Sequence, residues 1–494
     1  MDSDCYDVIV IGAGAAGMTA ACVSAAAGLR VLLMEKTGLV GGTTAISGGM
    51  VWIPANAKMN AVGRQDSRED ADAYLRATIG QGLRSNLLSA FLDHASEAVE
   101  YLERHSALKL RPVTTYPDYF QSVPGATLGG RVLEPVPFDA AMLGSQFRLL
   151  RPPLPEFTLF GGMMVDRADI PHFRRTGTSL RSTLRVARLM GRYLLERIRH
   201  DRGTTLVLGN ALAARLLASL PPDKVEIRLN ASPHELIHEA GRITGVVCSR
   251  GDRTERVQAT RGVIIATGGF SHDPKLRAAL LPEAARPFSS AAPGATGDGI
   301  ALGLERGAML RGGTNQNAFW TPVSIFHRPD GTTAVFPHTV TDRGKPGFIA
   351  VDQGGRRFAS EAIWPEVTKT PSDTHKRIKA ERSGWKSVPS QWFVTFGRSR
   401  AGVWVFDGKH LISDRDRNGL AEVNPTPKIY TANRVGMGYC TETGRIRFSA
   451  HVGRIYARLD RGRPADHGSA TRRAPRRRRR RTASIRGSGE RRPR

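Results

Sequence analysis

The stretch Asp7–Lys36, "DVIVIGAGAAGMTAACVSAAAGLRVLLMEK", decides the fold. Its β-branched run from Asp7 to Ile11 reads as a strand. A small-residue segment from about Ala15 to Ala27 reads as a helix, and Arg30 to Met34 as a second strand. Together they form half of a βαβ unit. At the first turn Gly12, Gly14 and Gly17 make a G-x-G-x-x-G pattern. In this spacing the first glycine permits the tight turn, the second lets backbone approach a pyrophosphate, and the third lets helix lie close on strand. The helix start offers unpaired N–H groups and a partial positive charge to phosphates. Glu35 closes the second strand, where a carboxylate accepts hydrogen bonds from a ribose. A glycine turn that only packs a helix on a sheet would leave Glu35 without a role. The unit therefore predicts a dinucleotide, and by itself does not separate FAD from NAD.

The next stretch, Gly41–Asn56, reads "GGTTAISGGMVWIPAN". It places four glycines with Thr43, Thr44 and Ser47 and no charge directly after the nucleotide unit. Glycine is entropically expensive to order. A nicotinamide enzyme would continue into the next crossover, whereas an isoalloxazine ring needs a backbone-lined slot with small hydroxyls at its polar edge. The stretch therefore favours FAD.

A chain of 494 residues suggests two or three domains. Cys5, Cys22, Cys248 and Cys440 stand far apart with no Cys-x-x-Cys. That spacing argues against a zinc site or a disulfide scaffold, so no metal is expected, and it fits a reducing compartment. The start "MDSDCYDVIVIG" has acidic residues and no basic n-region, so no signal peptide is expected. Val8 to Gly28 is nearly uncharged. Its glycine pattern favours strand, turn and helix over a membrane span, and the expectation is a cytoplasmic chain without a transmembrane segment. Of the formal charge of +27, residues 471–494 hold +11, from 12 arginines and one glutamate. That tail would attract nucleic acid through phosphates, but it lacks interleaved aromatics, so no specific nucleic-acid partner is expected.

Residues 68–107 show helical spacing. Thr114 to Asp139, rich in Pro and Gly, reads as an ordered loop. Residues 179–201 read as a basic amphipathic helix, with a solvated face around a packed apolar stripe preferred over a membrane contact. Strands are expected at Lys224–Leu229, His234–His238, Ile243–Ser249 and Val263–Ala266. After about Asn315 aromatics and prolines increase, which suggests a second domain. From about Pro425 the pattern dissolves, and residues 471–494 read as low-complexity and disordered.

The motifs "VIVIGAGAAGMTAA", "MEKTGLVGGTTAISGGMVWIPAN", "VIIATGGF" and "GATGDGIALG" resemble the fumarate reductase and succinate dehydrogenase flavoprotein superfamily. "YPDYFQSVPGATLGGRVLEPVPFD", "RGTTLVLGNALAARLL" and "RGKPGFIAVDQGGRRFASEA" resemble its 3-oxosteroid 1-dehydrogenase branch. The resemblance covers roughly residues 5–362. It implies an α/β fold: a Rossmann-like FAD-binding domain of the GR2 type, with an inserted α+β catalytic cap. The expected boundaries are 1–315 for the FAD domain, 316–430 for the cap and 431–494 for a divergent tail.

By the same resemblance Gly12, Gly14, Ala15 and Ala16 meet the pyrophosphate, and Gly17 completes the cofactor-binding turn. Glu35 meets the adenosine ribose, with Lys36 beside it. Gly42, Thr43, Ser47, Gly48 and Gly49 surround the pyrophosphate and flavin edge, with Thr44 behind them. Ala231 meets adenine, Ala266, Thr267 and Gly268 close over the cofactor, and Asp298 marks the helix approaching the flavin. The "GGTTAIS" loop has no histidine for covalent attachment, so FAD is expected to be non-covalent. The implied reaction removes two hydrogens beside a ketone, on a small hydrophobic substrate such as a 3-ketosteroid, and passes electrons to an external acceptor. Tyr119 matches a tyrosine of the steroid branch. Fumarate reductase-like enoate reduction is the alternative within the superfamily.

Two departures stand out. Residues 316–362 contain no tyrosine to serve as the cap's base. No "GLYAAGN"-like or "YPGAGATIGP"-like segment follows "RRFASEA". The ending reads either as an out-of-frame product of a GC-rich gene or as a genuine basic arm. Weak flavin retention, or a non-catalytic remnant, is the corresponding expectation.

Overall fold

In the computed structural model β1 (Cys5–Ile11), α1 (Ala15–Ala26) and β2 (Val31–Glu35) follow the order that the opening stretch predicts. The structure describes residues 5–79, 84–281, 285–310, 317–318, 323–328 and 330–337, and beyond them short strands between 348 and 449. Strands β3 (Val225–Leu229), β4 (Ala231–Glu239), β5 (Arg242–Arg250) and β6 (Arg253–Ile265) complete a six-stranded sheet in the order β3-β2-β1-β6-β5-β4. The first four of these run parallel, with Ile11 opposite Met34 on one side and Ile265 on the other. Strands β4, β5 and β6 form an antiparallel meander.

Side chains alternate across β1, as the period of a strand requires. Val8 and Val10 face one core, with Val31, Leu33 and the α1 residues Met18, Ala21 and Cys22. Ile9 and Ile11 face the other, with Leu32, Met34, Val246, Val257 and Leu302. A parallel sheet covered on both faces reads as a continuous apolar run, and this run made β1 and β2 legible.

Three features depart from the sequence expectations. Strand β6 is 13 residues long and begins ten residues before the expected Val263. Its first half, "RTERVQATR", buries only alternate residues such as Val257 and Ala259, so charge masks the strand. The segment expected as a loop, Thr114–Asp139, contains strands at Val132–Pro135 and Phe138–Asp139. Val132–Pro135 is buried throughout and pairs with Val51–Trp52 and Leu110–Pro112. That pairing is non-local and leaves no periodic trace. The third departure is the basic helix, whose Leu180, Leu184, Leu194 and Leu195 are exposed and not packed.

The span 68–107 resolves into α2 (Arg68–Ile79) and α3 (Ser85–His105). The basic helix is α4 (Leu180–Arg199). Behind the sheet, α5 (Leu208–Leu217) is buried at every position from Gly209 to Leu217. Its polar residues Asn210 and Arg215 are bonded to backbone carbonyls, and with burial on every side it shows no face by which a sequence reading could orient it. Helix α6 (Asp298–Glu305) lies on the opposite face, where Leu302 enters the second core.

The hairpin Val323–His327/Thr333–Pro337 leans on the 155–157 turn, with Phe336 edge-on to Phe157 at 5.3 Å and Arg328 paired to Glu156 at 2.9 Å. The expected boundary near Asn315, most of the cap to residue 430 and the arginine-rich tail lie outside the described residues.

Candidate dinucleotide site

The site forms at the carboxyl ends of β1, β2 and β6, where the chain leaves β1 toward β2 on one side and β6 lies on the other. Ligands of open α/β sheets bind at such a switch point. Three glycine segments meet there. Gly12 has φ +105°, and a Cβ on it would lie 2.5 Å from the Ala266 carbonyl oxygen. Gly17 packs still closer, since its Cβ would fall 1.7 Å from the Gly12 oxygen. These two glycines are required by the protein itself. Gly14 differs: no protein atom lies within 4 Å of its would-be Cβ. It begins α1 without any side-chain cap, and no acidic residue stands in the first turn. Ala16 is exposed just beyond it.

The loop 41–49 sits over this turn. Gly42, at φ +48°, would put a Cβ 3.5 Å from the Gly14 Cα. The Thr44 hydroxyl accepts from the Ala15 N–H at 3.2 Å, and the Thr43 hydroxyl accepts from the Ala292 N–H at 3.1 Å. Ser47 Oγ donates to the Thr44 carbonyl at 2.8 Å and accepts from the Gly49 N–H at 3.0 Å. Gly49 has another purpose, because its Cβ would lie 2.6 Å from the Gly209 nitrogen. The glycines of this loop thus divide. Gly49 lets the loop lie on α5, Gly42 lies against the Gly14 backbone, and Gly48 is exposed.

From the third segment, Ala266 N–H donates to the Ile11 carbonyl at 2.8 Å. Thr267 Oγ1 accepts from the Gly299 N–H at 3.1 Å and so holds the start of α6. Gly268, at φ +78°, and Gly269 are exposed and have no protein atom within 4 Å of an added Cβ.

At the other end Glu35 is 9% exposed. It accepts from the Ala13 N–H at 3.0 Å, the Thr37 N–H at 2.9 Å and the Thr37 hydroxyl at 2.8 Å. Ala231 follows Asn230, whose N–H donates to the Thr37 carbonyl at 3.2 Å. The Ala231 side chain is in the core, so only its backbone is available to a ligand. Lys36 and Asp298, far apart in sequence, form an ion pair at 2.6 Å, and Thr296 hydrogen-bonds both. Their contact ties α6 to the end of β2.

Four residues of this neighbourhood were not singled out from the sequence: Thr37, Arg151, Ala292 and Asn210. Asn210 is fully buried and donates to the Ala45 and Arg151 carbonyls at 3.1 and 2.8 Å, which fixes the back of the loop. A lone amide inside the apolar run "LVLGNALAARLL" was the available signal. Arg151 donates to Thr37 Oγ1 at 3.2 Å, and its Nε is buried without a partner among the described residues.

Tyr119 lies outside the glycine cradle, on the loop after Tyr116, and is 37% exposed. Its neighbour Asp118 is held by Arg131 at 2.8 Å, and Asp118 accepts from the Trp52 indole at 2.7 Å. The loop of Tyr119 is thereby tied to the segment that continues from the glycine loop.

A cradle of open glycines, a helix start with no cap from its own N-cap residue and a buried carboxylate at the end of β2 fits a pyrophosphate between a flat ring and a ribose. The chain is similar to FAD-binding proteins. A family profile described as FAD binding domain matches residues 7–466. A 4-oxocyclohex-2-ene-1-carboxylate 5-dehydrogenase of Sinomonas cyclohexanicum is 33% identical over 401 residues, 81% of this chain and 67% of that one. A 3-oxosteroid 1-dehydrogenase of Mycolicibacterium smegmatis is 34% identical over 72% of this chain and 62% of its own length. The crystal structure of 3-ketosteroid delta1-dehydrogenase from Sterolibacterium denitrificans, in complex with 1,4-androstadiene-3,17-dione, superposes with a TM-score of 0.68 at 33% identity. It covers 80% of this chain and 69% of that one. The chain thus spans 62–67% of the length of these two curated relatives.

Proposed function

Because this chain belongs to the FAD binding domain family, we propose that it is an FAD-dependent dehydrogenase. It would introduce a C=C bond beside the carbonyl of a six-membered cyclic ketone, with 3-ketosteroids as the substrate class. The observation that carries this reading is that Gly14 and Gly268, from distant segments, face open space at the ends of β1 and β6, with the loop of Gly42 lying against Gly14. The substrate class rests on the relatives, whose names give an oxosteroid and an oxocyclohexene carboxylate, both cyclic ketones.

When bound, FAD supplies a two-electron acceptor: hydride leaves the carbon next to the acidified one, the acidified carbon's proton goes to a base, and the electron pair becomes the new C=C bond. The chain's own residues position and exclude. Ala16 and Gly17 present N–H groups at the start of α1 to the pyrophosphate, while Thr44 holds the Ala15 N–H. Glu35 takes the ribose hydroxyls, and the backbone of Ala231 takes adenine. The loop 41–49 holds the ring edge without covalent attachment. Tyr119 supplies a phenol to the substrate from the rim, where donors to a developing enolate oxygen act. Residues 1–315 form the cofactor domain, and 316–430 the cap that would close the substrate side.

The test is anaerobic addition of 4-androstene-3,17-dione, and separately of 4-oxocyclohexanecarboxylate, to FAD-loaded protein. Loss of the visible flavin absorbance with the steroid, slowed by Tyr119→Phe, is expected. Bleaching by the carboxylate alone would move the substrate class, and bleaching by neither would reject the reading.

A further inference from the structure

Helix α4 is turned the opposite way from the expectation that its apolar stripe is packed. Its protein-facing side is narrow and consists of Ser182, Val186 and Tyr193. Arg185 pairs with Asp169 at 2.8 Å, Arg192 with Asp139 at 2.9 Å, and the Tyr193 hydroxyl donates to the Phe160 carbonyl at 2.7 Å. These bonds fix the roll of the helix. Its large aliphatic residues point the other way: Leu180, Leu184, Leu194, Leu195 and Ile198 are 77, 62, 61, 68 and 76% exposed. At about 100° per residue these five fall within one sector about 100° wide, opposite Tyr193.

Arg181, Arg188, Arg192 and Arg199 run along one border of that sector, and Arg197 lies on the other. Arg181, Arg188, Arg197 and Arg199 are exposed and make no ion pair with another described residue. The only acidic residue of the helix, Glu196, is turned inward to Thr204, Thr205 and Arg192.

We propose that α4 docks the protein peripherally on an anionic lipid surface. The leucines and Ile198 would enter the acyl boundary, and the arginines would meet headgroup phosphates. A solvent-facing aliphatic sector bordered by exposed arginines, four of them without an ion pair among the described residues, is what an interfacial helix requires. A second copy of the chain suits the face poorly, because it would bring the same arginines against these. Nucleic acid would satisfy the arginines but leave the aliphatic sector in water. The inference is independent of the proposed reaction.

The test is flotation of the full-length protein with phosphatidylcholine vesicles, with and without phosphatidylglycerol. Binding only with phosphatidylglycerol, weakened by salt, is expected. The arginine run at 476–481 would also attract anionic vesicles, so the deciding variant alters no charge. Leu184→Gln, Leu194→Gln and Ile198→Gln together should lower vesicle affinity by about tenfold or more, with circular dichroism unchanged because all three side chains face solvent. Affinity within about twofold of the parent protein would overturn the proposal. Loss of all vesicle binding on neutralising Arg476–Arg481, with α4 intact, would also overturn it. So would a dimer in light scattering that the triple variant disperses, with no vesicle binding by the parent.

Discussion

At the scale of single residues, the glycines of one motif have separable tasks. Gly12 and Gly17 are held by protein contacts, while Gly14 faces open space. Gly17→Ala should therefore destabilise the fold whether or not cofactor is present, because its Cβ would overlap the Gly12 carbonyl. Gly14 has φ −80°, which alanine adopts freely. Gly14→Ala should leave the apoprotein's thermal midpoint unchanged and weaken FAD by about 1.4 kcal/mol or more, a tenfold change in Kd. Calorimetric titration alongside thermal melts separates the two effects, and an apoprotein destabilised by Gly14→Ala would refute the assignment. Glu35→Ala should cost about 1.5–3 kcal/mol of FAD binding, the value of hydrogen bonds to a charged group. Because Glu35 also accepts from Ala13 and Thr37, its loss should lower the apoprotein's midpoint as well.

At the scale of elements, two polar clusters join pieces that hydrophobic burial alone would leave unregistered. Arg131, Asp66 and Asp118 have side chains only 1% exposed, with Arg131 bonded to Asp66 at 2.6 Å and to Asp118 at 2.8 Å. The cluster clamps the Tyr119 loop against Trp52 and the start of α2. Removing one member of a buried ion pair strands its partners. Arg131→Met should thus cost about 3–5 kcal/mol in urea unfolding. Glu196 joins α4 to Thr204 and Thr205. Burial pushes its carboxyl up, but hydrogen bonds from Thr205, Arg192 and the backbone N–H groups of Thr204 and Thr205 outweigh this and hold it below its ordinary value. The folded state therefore binds this proton less readily than the unfolded state. The resulting stability is complete above the ordinary glutamate range and is lost as pH falls through the depressed folded value. Glu196→Gln should be less stable at neutral pH and should lose less stability on acidification, as pH-dependent denaturation would record. An unchanged acid slope would contradict the linkage.

At the scale of the whole molecule, the cofactor would bridge segments that meet only in the fold: residues 12–17, 35–49 and 266–268. A ligand that binds only the folded state stabilises it by mass action, by about 2.7 kcal/mol at a hundredfold excess over Kd. FAD should therefore raise the thermal midpoint in a concentration-dependent way, whereas NAD should not. Equal shifts with both nucleotides would withdraw the flavin assignment. Net charge is also a property of this scale. The formal +27 makes low-salt association with polyanions an expected background. A vesicle assay must therefore separate aliphatic insertion from simple attraction.

The half-βαβ unit was legible because its evidence is local: apolar strand runs, glycine spacing and Glu35 all lie within 30 residues. Periodicity also marked α2, α3 and the existence of α4. It could not show which side of α4 meets the protein, since its leucines and its anchoring Ser182, Val186 and Tyr193 both repeat at helical spacing. The pairings of Arg185 and Arg192 with carboxylates, and the bond from Tyr193 to the Phe160 carbonyl, set its roll. The first half of β6, the strand at Val132–Pro135 and the burial of α5 were likewise set by distant partners. So was the split between packing glycines and open ones, because a sequence records that a Cβ is missing but not what would have stood in its way. Local spacing selects the nucleotide unit through backbone sterics within one turn. Long-range packing alone decides which surfaces that unit leaves for ligand, substrate and lipid.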